Sequence, residues 1–254
     1  MRINHRFLVF IIVFNLPLFI LNGQVEFFDA TQELLGNQKT YSTLGIAVDD
    51  VDGDFMDDLL VLDKGTDLKT FYQRAQFNPF KYTFHQKVSF SEQWAMITGD
   101  ITNDGFPEVL VSGVQDGTKV LSLNNNNEFR INYTTPAVYA QNSNLVDYNN
   151  DGYLDYFVCN DVGENLTLVN DGNGELVKVD LIDFQTSPED DMSGNYSSIF
   201  SDIDMDGDLD AYVSRDVGLP RPGRRHHTCD RASARRRTSL VGSPRRSARI
   251  RRES

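Results

Sequence analysis

The chain has 254 residues, of which 40% are hydrophobic, a composition that supports a packed core and excludes a globally disordered protein. The formal net charge of −13 is unevenly distributed, because residues 1–214 hold 34 acidic and 11 basic side chains, a net charge of −23. An acidic body of this kind repels phosphate groups and attracts cations, which argues against a nucleic-acid-binding protein.

The amino terminus has the pattern of an export signal. A basic start, MRINHR, precedes an apolar run over residues 7–20, and small or polar residues follow near Gly23 and Gln24. The run is shorter than the roughly 20 residues that a membrane-spanning helix needs. We therefore expect a signal peptide over residues 1–23, a secreted or cell-surface destination, and no membrane span after cleavage. An uncleaved anchor is the alternative.

An aspartate-rich segment recurs four times along the chain. It reads DVDGDFMDDLLVL from residue 50, DITNDGFPEVLVS from residue 100, DYNNDGYLDYFVC from residue 147 and DIDMDGDLDAYVS from residue 202. The first aspartates of successive copies are 50, 47 and 55 residues apart. A period near 50 residues is typical of a propeller blade with four short strands.

Strand-like stretches flank every copy. LGIAV, WAMIT, SNLV and SSIF precede the four segments, which end in the apolar runs LLVL, VLVS, YFVC and AYVS. Residues 69–84, 120–131 and 166–179 each predict a further hairpin around turn-forming residues. The body shows no convincing long helical period. We therefore predict an all-β fold, an incomplete β-propeller with about four four-stranded blades.

Oxygen-bearing side chains recur in each segment at positions 1, 3, 5 and 9, counted from its first aspartate. Hard oxygen ligands at this spacing, with glycine permitting a sharp bend at position 6 and a carbonyl at position 7, suit Ca²⁺, whereas Mg²⁺ prefers to keep several waters. Soft metals are disfavoured because the pattern contains no Cys or His. The predicted calcium ligands are Asp50, Asp52, Asp54 and Asp58 in loop 1 (residues 50–58), Asp100, Thr102, Asp104 and Glu108 in loop 2 (residues 100–108), Asp147, Asn149, Asp151, Tyr153 and Asp155 in loop 3 (residues 147–155), and Asp202, Asp204, Asp206, Asp208 and Asp210 in loop 4 (residues 202–210).

EF-hands and simple turns are also rich in aspartate and glycine. An EF-hand requires a Glu at position 12 between two helices, whereas the four copies have valine there, within a β-like run: Val61, Val111, Val158 and Val213. Simple turns favour Asp, Asn and Gly, but four copies in register, each followed by a strand, favour calcium. The pattern is weakest at Phe55, which replaces the bend glycine of loop 1. It is also weak at Thr102 and Glu108, which stand at positions 3 and 9 of loop 2 and leave this loop with less negative charge.

The loop D-x-[DN]-x-D-G-x-x-D followed by an apolar strand, with NDGNGEL downstream, resembles the FG-GAP/VCBS repeat family. This calcium-loop repeat also occurs in the propeller of integrin α chains, and DYNNDGYLDYFV is especially similar to secreted bacterial and CRTAC-like members. The resemblance covers about residues 40–214 and implies calcium ions that brace the blades without performing chemistry. Family propellers usually close with about seven blades. We accordingly expect a repeat domain over residues 24–217.

Residues 218–254 differ in composition from the rest of the chain. Residues 215–254 hold 13 Arg, no Lys and 3 acidic side chains. One interpretation is a basic tail that binds nucleic acid, membrane or an acidic partner. The other is a disordered, frameshifted or chimeric end without an evolved role, which the break in the middle of a repeat favours.

No catalytic motif is evident in the sequence, such as a G-x-S-x-G elbow or an H-E-x-x-H pair. We expect His85 to be a half-exposed strand residue and Trp94, which alternates with Met96 and Thr98, to belong to the core. The predicted function is a non-enzymatic, calcium-binding module for adhesion or for recognition of an extracellular protein or glycan. The alternative is a fragment of a calcium-dependent propeller enzyme such as a polysaccharide lyase. A Lys or Arg cluster facing a His or Tyr would favour the enzyme, but the basic residues are scattered in the sequence.

Overall fold

The computed structural model describes residues 27–42, 45–74, 79–114, 116–179, 194–207, 209–215 and 231–232. These residues form one short helix and fifteen strands. The helix is α1 (Thr31–Leu35), and the strands are β1 (Ile46–Asp49), β2 (Asp58–Asp63), β3 (Asp67–Tyr72), β4 (Lys81–Lys87), β5 (Gln93–Gly99), β6 (Glu108–Gly113), β7 (Lys119–Leu123), β8 (Phe129–Thr134), β9 (Ala140–Val146), β10 (Asp155–Asn160), β11 (Leu166–Asn170), β12 (Leu176–Lys178), β13 (Asn195–Ser201), β14 (Asp210–Arg215) and β15 (Arg231–Ala232).

The strands form four antiparallel sheets that follow one another along the chain. Blade 1 contains β1–β4, blade 2 contains β5–β8, blade 3 contains β9–β12, and blade 4 contains β13–β15 within the described residues. In every sheet each strand is hydrogen-bonded to the next strand in the sequence, the simplest connection for an antiparallel sheet. The hairpins predicted from the sequence are therefore present as β3–β4, β7–β8 and β11–β12.

The first strands of successive blades contact one another. β1 contacts β5, β5 contacts β9, and β9 contacts β13, so these strands form the inner side of the array while the later strands lie farther out. This is the arrangement of propeller blades around an axis. The prediction of an all-β fold, an incomplete β-propeller, is confirmed.

The second strand of blades 1, 2 and 3 lies at the centre of the core. Every residue of β6 is buried, and β2 and β10 each have one exception, because sheets pack against both of their faces. One core cluster joins blades 1 and 2 through Leu60 and Val109. A second joins blades 2 and 3 through Leu110 and Tyr156. Each pair of neighbouring blades is thus held by its own hydrophobic layer.

Trp94 and His85 have the places expected from the sequence. Trp94 on β5 packs, partly buried, against the core between blades 2 and 3, and its Nε1–H donates to the carbonyl oxygen of Ala140. His85 is a partly buried residue of β4. Neither position exposes the side chain as a free surface group.

The inner strands of the two end blades, β1 and β13, are more exposed than those of blades 2 and 3. Ile46 and Val48 on β1 are 55% and 61% exposed, and Ile199 on β13 is 62% exposed. The corresponding inner strands β5 and β9 contain only buried or partly buried residues. The difference arises because blades 2 and 3 have a neighbouring sheet on both sides, and it is consistent with an array that is not closed.

The predicted signal peptide, residues 1–23, lies outside the described residues. So does the Arg-rich tail, residues 218–254, apart from the backbone of Arg231 and Ala232, which pairs with β14. Cys159 is a buried free thiol. Within the ranges that the structure describes, no helix is long and apolar enough to cross a membrane.

Candidate metal centres in the aspartate loops

The four aspartate loops occupy the same place in their blades. Each connects the first strand to the second, and each is closed by a strand pair in the same register: Asp49 with Asp58, Gly99 with Glu108, Val146 with Asp155, and Ser201 with Asp210. Position 9 of every loop is therefore the first residue of the second strand. The equal spacing in the sequence reflects this shared geometry.

The loops also share an unusual backbone conformation. Positions 4 and 6 have positive φ angles in all four loops: Gly53 and Phe55, Asn103 and Gly105, Asn150 and Gly152, and Met205 and Gly207. Gly and Asn tolerate this left-handed conformation most readily. Phe55 adopts it as well, with a φ of 65°, so the replaced glycine does not change the course of loop 1.

The aspartate at position 1 organises each loop. In loop 3, the Asp147 carboxylate accepts the backbone N–H groups of Asp151 at 3.1 Å and Gly152 at 2.9 Å. The corresponding pairs of bonds to Asp50, Asp100 and Asp202 have lengths between 2.8 and 3.1 Å. These bonds bend the chain around the first carboxylate and bring the later oxygens toward it.

Positions 3 and 5 form a second layer of contacts, which is clearest in loop 3. Asn149 Oδ1 accepts the N–H of Asp151 at 3.0 Å, and Asn149 Nδ2 donates to Asp151 Oδ2 at 2.8 Å. Asp151 Oδ1 accepts the N–H of Tyr153 at 2.9 Å. An amide and a carboxylate at positions 3 and 5 thus lie side by side within the loop.

The carboxylate at position 9 lies beneath the loop in loops 1, 2 and 3. Asp58, Glu108 and Asp155 are buried. Asp155 Oδ2 accepts the N–H of Tyr148 in loop 3 at 2.9 Å, and Asp155 Oδ1 accepts the N–H of Asn170 at the end of β11 at 2.8 Å. This side chain therefore connects the loop to the third strand of its blade, whatever else it binds.

Burial changes the acidity of these position-9 groups. Desolvation, with added repulsion from Asp52 and Asp54, raises the pKa of Asp58 to about 7. Desolvation, with repulsion from the other loop carboxylates, raises the pKa of Asp155 to about 6. Desolvation also raises the pKa of Glu108. A nearby cation would favour the ionised form of all three groups.

Within the described residues, three carboxylates converge in two of the loops. Oxygens of Asp50, Asp52 and Asp54 in loop 1 lie within 4.8 Å of one another, and so do oxygens of Asp202, Asp204 and Asp210 in loop 4. Asp208 lies outside the described residues. In loops 2 and 3 position 3 is occupied by Thr102 or Asn149, which offers a neutral oxygen in place of a carboxylate.

A positively charged side chain that the sequence pattern did not predict lies against loop 1. The Arg74 guanidinium lies 3.0 Å from Asp52 Oδ2 and 3.0 Å from Asp54 Oδ2. Arg74 follows the end of β3, and the strand registers place Asn124 and Asp171 at the equivalent positions of blades 2 and 3. An alignment of the three hairpins by strand register would have shown that only blade 1 of these three has a basic residue at this position.

The donor set of the loops fits a hard divalent cation. The groups are carboxylate, amide and carbonyl oxygens, which Ca²⁺ accepts in a flexible shell. In loop 1, Asp52 Oδ1 and Asp58 Oδ2 are buried without a hydrogen-bond partner among the described residues. Unpaired buried anionic oxygens are costly, and one guanidinium does not neutralise the four predicted ligand carboxylates of this loop. Of the eighteen predicted ligands, the three carboxylates that converge in loop 1 and the three that converge in loop 4 are placed where they could hold a cation, and the others stay a prediction.

The loops of neighbouring blades also contact one another. Asn103 Nδ2 in loop 2 donates to the carbonyl oxygen of Gly152 in loop 3 at 3.3 Å. Asn170 Nδ2 donates to the carbonyl oxygen of Ile101 at 2.7 Å, and the Tyr133 hydroxyl donates to that of Gly174 at 2.8 Å. Loop 2 is therefore hydrogen-bonded to loop 3 and to the end of β11, and β8 is hydrogen-bonded to the β11–β12 turn.

Comparison with known proteins agrees with this geometry. Residues 147–213, which contain loop 3, β10 to β13 and loop 4, match the FG-GAP-like repeat. No curated protein matches the sequence. BBS1N, in its complex with ARL6DN, resembles the chain with 13% identity and a TM-score of 0.50 over 74% of this chain and 53% of BBS1N.

A second solved structure is less similar. The V. cholerae biofilm matrix protein Bap1 shares 19% identity with a TM-score of 0.42, over 66% of this chain and 23% of Bap1. The chain thus spans about half of BBS1N and about a quarter of Bap1. The likeness to BBS1N supports the fold alone. Residues 147–213 thus match an FG-GAP-like repeat, within a chain that has a β-propeller fold.

Proposed function

We propose that this chain is a secreted or surface-exposed, calcium-binding repeat module without enzymatic activity, which recognises an extracellular protein or glycan. The observation that carries the proposal is the common geometry of the four aspartate loops. All four have left-handed residues at positions 4 and 6 and a first aspartate that accepts the same two backbone N–H groups. Four independent loops with one conformation are better explained by one ligand than by four turns.

Calcium would have a structural role in this module. The loops join the inner strand of each blade to its central strand, and those of blades 2 and 3 contact each other. An ion that binds the loop oxygens would offset their repulsion and hold these connections in place. Extracellular calcium-binding modules function with dissociation constants of about 10⁻⁴–10⁻³ M, so the export-signal pattern and the loops support the same location.

The proposal is tested by thermal unfolding of the full chain during calcium titration, with chelator and magnesium as references. A site that binds calcium only in the folded state stabilises the protein by about 2.7 kcal/mol at a hundredfold excess of calcium over its dissociation constant. We expect a calcium-selective rise in Tm that is reduced in Asp202→Ala and in Asp147→Ala.

A matched control is available within loop 1. Asp57 is exposed and stands at position 8, outside the predicted ligand set, so Asp57→Ala should keep the full calcium response. A cooperative transition with the same Tm in calcium, magnesium and chelator would show that the loops are only turns. Equal loss of response in Asp57→Ala and Asp147→Ala would point to a general charge effect instead of bound ions.

One observation favours the alternative, a polysaccharide lyase. The expected signature was a basic residue facing a His or Tyr, and Tyr72, Arg74, Lys81 and His85 line one cavity. The Arg74 guanidinium is 5.0 Å from the centre of the Tyr72 ring. Incubation of the full chain with acidic polysaccharides, followed by ultraviolet absorbance of unsaturated products, distinguishes the two functions. Product formation by the wild type that is lost in His85→Gln would establish the lyase. If the wild type forms no product, the recognition module is favoured.

A further inference from the structure

A cavity of about 330 Å³ lies between blades 1 and 2; we call it the blade 1–2 cleft. β4 supplies one wall through Lys81, Thr83 and Phe84, and the turn between β7 and β8 supplies the other through residues 126–128. The volume is at the small end of the range for ligand sites. The cleft therefore suits one small ligand or one unit of a polymer.

Both walls of the cleft are held in place before any ligand binds. On the blade 1 side, His85 Nε2 and the Tyr72 hydroxyl share a hydrogen bond of 3.2 Å. The His85 ring also packs edge-on against Phe129 of blade 2, with a distance of 4.9 Å between ring centres and an interplanar angle of 85°. These contacts fix the two blades relative to each other beside the cleft.

The opposite wall is a structured turn. Asn124 Oδ1 accepts the backbone N–H groups of Asn126 at 2.9 Å and Glu128 at 3.0 Å. The backbone of Asn124 exchanges further bonds with Asn127 and Glu128, each of 2.9 Å. Because the turn is held by its own backbone, its outward side chains are already positioned, which lowers the entropy cost of binding.

The lining carries hydrogen-bonding groups without partners. Within the described part of the chain, the Lys81 ammonium, the Thr83 hydroxyl and the side-chain amides of Asn126 and Asn127 make no hydrogen bond or ion pair. Together they offer both donors and acceptors. The Phe84 side chain is 50% exposed and adds an aromatic surface to the same cleft.

This combination of groups selects a class of ligand. Most small-molecule sites are lined mainly by apolar side chains, whereas this lining is mainly polar with one exposed aromatic ring. A sugar has hydroxyl groups around its rim and an apolar C–H face that packs against an aromatic ring. A phosphate-rich ligand is disfavoured, because Glu128 lines the cleft and residues 1–214 carry a net charge of −23.

We infer that the blade 1–2 cleft binds a sugar unit of an extracellular glycan, with the Phe84 ring against the sugar face and the Asn126 amide on its hydroxyl groups. The inference rests on the proposed recognition function and assigns its glycan partner to a specific cleft. It differs from the calcium sites, which lie in the aspartate loops. Trp94, the other aromatic residue considered for sugar binding, is occupied by core packing.

The experiment is binding of the full chain, in calcium, to an immobilised array of hexose, N-acetylhexosamine and uronate oligomers, followed by titration with the soluble form of the best probe. Phe84→Ala should weaken binding by about tenfold, because the aromatic surface is lost. Asn126→Ala should weaken it by about threefold to tenfold through the lost hydrogen bonds. If Lys81→Gln weakens binding to uronate oligomers more than binding to neutral oligomers, the bound sugar is acidic. If it affects both equally, the bound sugar is neutral.

The chain offers a matched control for each variant. Phe90 is 95% exposed and Asn125 lies in the same asparagine turn, yet neither lines the cleft, so Phe90→Ala and Asn125→Ala should bind within about twofold of the wild type. The inference is overturned if no oligomer binds, or if Phe84→Ala and Phe90→Ala weaken binding equally. Calcium-dependent Tm values of the same preparations test the proposed calcium module separately.

Discussion

Phe55, at position 6 of loop 1, has the left-handed backbone conformation that glycine has at position 6 of the other three loops. Its φ is 65° and its side chain is 96% exposed. For a residue with a Cβ atom, this conformation costs roughly 1–2 kcal/mol relative to the right-handed region. The exposed ring gains almost no burial that could offset this cost. Loop 1 therefore stores backbone strain at one residue.

Replacement of Phe55 by glycine should stabilise the protein by about 0.5–1 kcal/mol. Glycine removes the steric strain, while its greater freedom in the unfolded chain cancels part of the gain. Urea unfolding in the presence of calcium measures the difference. Met56→Gly is the control, because Met56 is not among the positive-φ residues and its replacement should destabilise. A less stable Phe55→Gly variant would show that the ring makes a contact more valuable than the relief of strain.

Arg74 brings a positive charge to loop 1 that would compete with a cation bound there. Its guanidinium lies within 3.0 Å of two predicted calcium ligands, Asp52 and Asp54. Arg74→Met keeps much of the side-chain volume and removes the charge, so loop 1 should bind calcium roughly threefold to tenfold more tightly. Isothermal titration of the wild type and of Arg74→Met with calcium measures this affinity, because the two proteins have identical loops 2–4.

The control for Arg74 is an arginine whose ion pair involves no predicted calcium ligand. Arg130 pairs with Glu128 at 3.4 Å, and both side chains are more than half exposed, so Arg130→Met should leave calcium binding unchanged. Weaker binding in Arg74→Met would mean that the guanidinium positions the carboxylates instead of competing for them.

At the scale of the elements, the position-9 carboxylate holds a blade together. Asp155 begins β10 and accepts N–H groups from Tyr148 in loop 3 and from Asn170 at the end of β11. One side chain thus bonds the loop, the second strand and the third strand. Asp151, by contrast, accepts a local N–H from Tyr153 and is exposed. The two aspartates of one loop have different mechanical roles.

Asparagine substitutions should separate these roles. In chelator, Asp155→Asn should lower the free energy of unfolding by about 1–3 kcal/mol, because the new amide leaves a buried N–H without an acceptor. Asp151→Asn should cost little in chelator but reduce the stabilisation by calcium, since a neutral oxygen replaces a carboxylate. Denaturant titrations with and without calcium measure both. Equal effects of the two variants in chelator would contradict the assignment of Asp155 to the blade framework.

At the scale of the whole molecule, stability depends on layers between blades as well as on the sheets. His85 belongs to one such layer, since it lies on blade 1 and its ring contacts Phe129 of blade 2. Burial lowers the pKa of His85 to about 4, although the charge of Glu128 acts in the opposite direction. Tyr72, Arg74 and Lys81 also line the cleft that His85 faces. At neutral pH the imidazole is therefore uncharged.

This lowered pKa predicts a specific pH dependence. The unfolded chain takes up a proton at His85 near its ordinary pKa of about 6.5, whereas the folded protein does so only near pH 4. The contribution of His85 is thus complete above about pH 6.5 and is lost as the pH falls toward 4, by on the order of 1–2 kcal/mol for this partly exposed group.

Comparison with His85→Gln isolates this contribution. The wild type should lose more stability than the variant between pH 7 and pH 4, as measured by chemical denaturation in chelator. Asp58 and Asp155 have raised pKa values and act in the opposite direction, but they are present in both proteins and cancel in the difference. Parallel pH profiles would show that His85 titrates normally in the folded state.

Short-range patterns in the chain were sufficient to predict the elements. The strand before each aspartate loop, the strand after it and the later hairpins were all predicted, because alternating or continuous apolar runs between turn residues report strands directly. Repetition at about 50 residues then indicated blades, since one supersecondary unit per repeat must stack on its neighbours to bury its faces. Loop geometry followed from the same local spacing.

The amino-acid sequence by itself determined the all-β class, the blade repeat and the oxygen-rich loops, because each depends on short local patterns, about ten residues long, that recur along the chain. Only the tertiary structure decided which distant groups meet. It placed Arg74 on loop 1, buried Asp155 beneath loop 3, and joined β4 of blade 1 to the β7–β8 turn of blade 2 around the cleft. Such encounters depend on the register and packing of separate sheets, where one residue of shift along a strand moves a side chain to the opposite face.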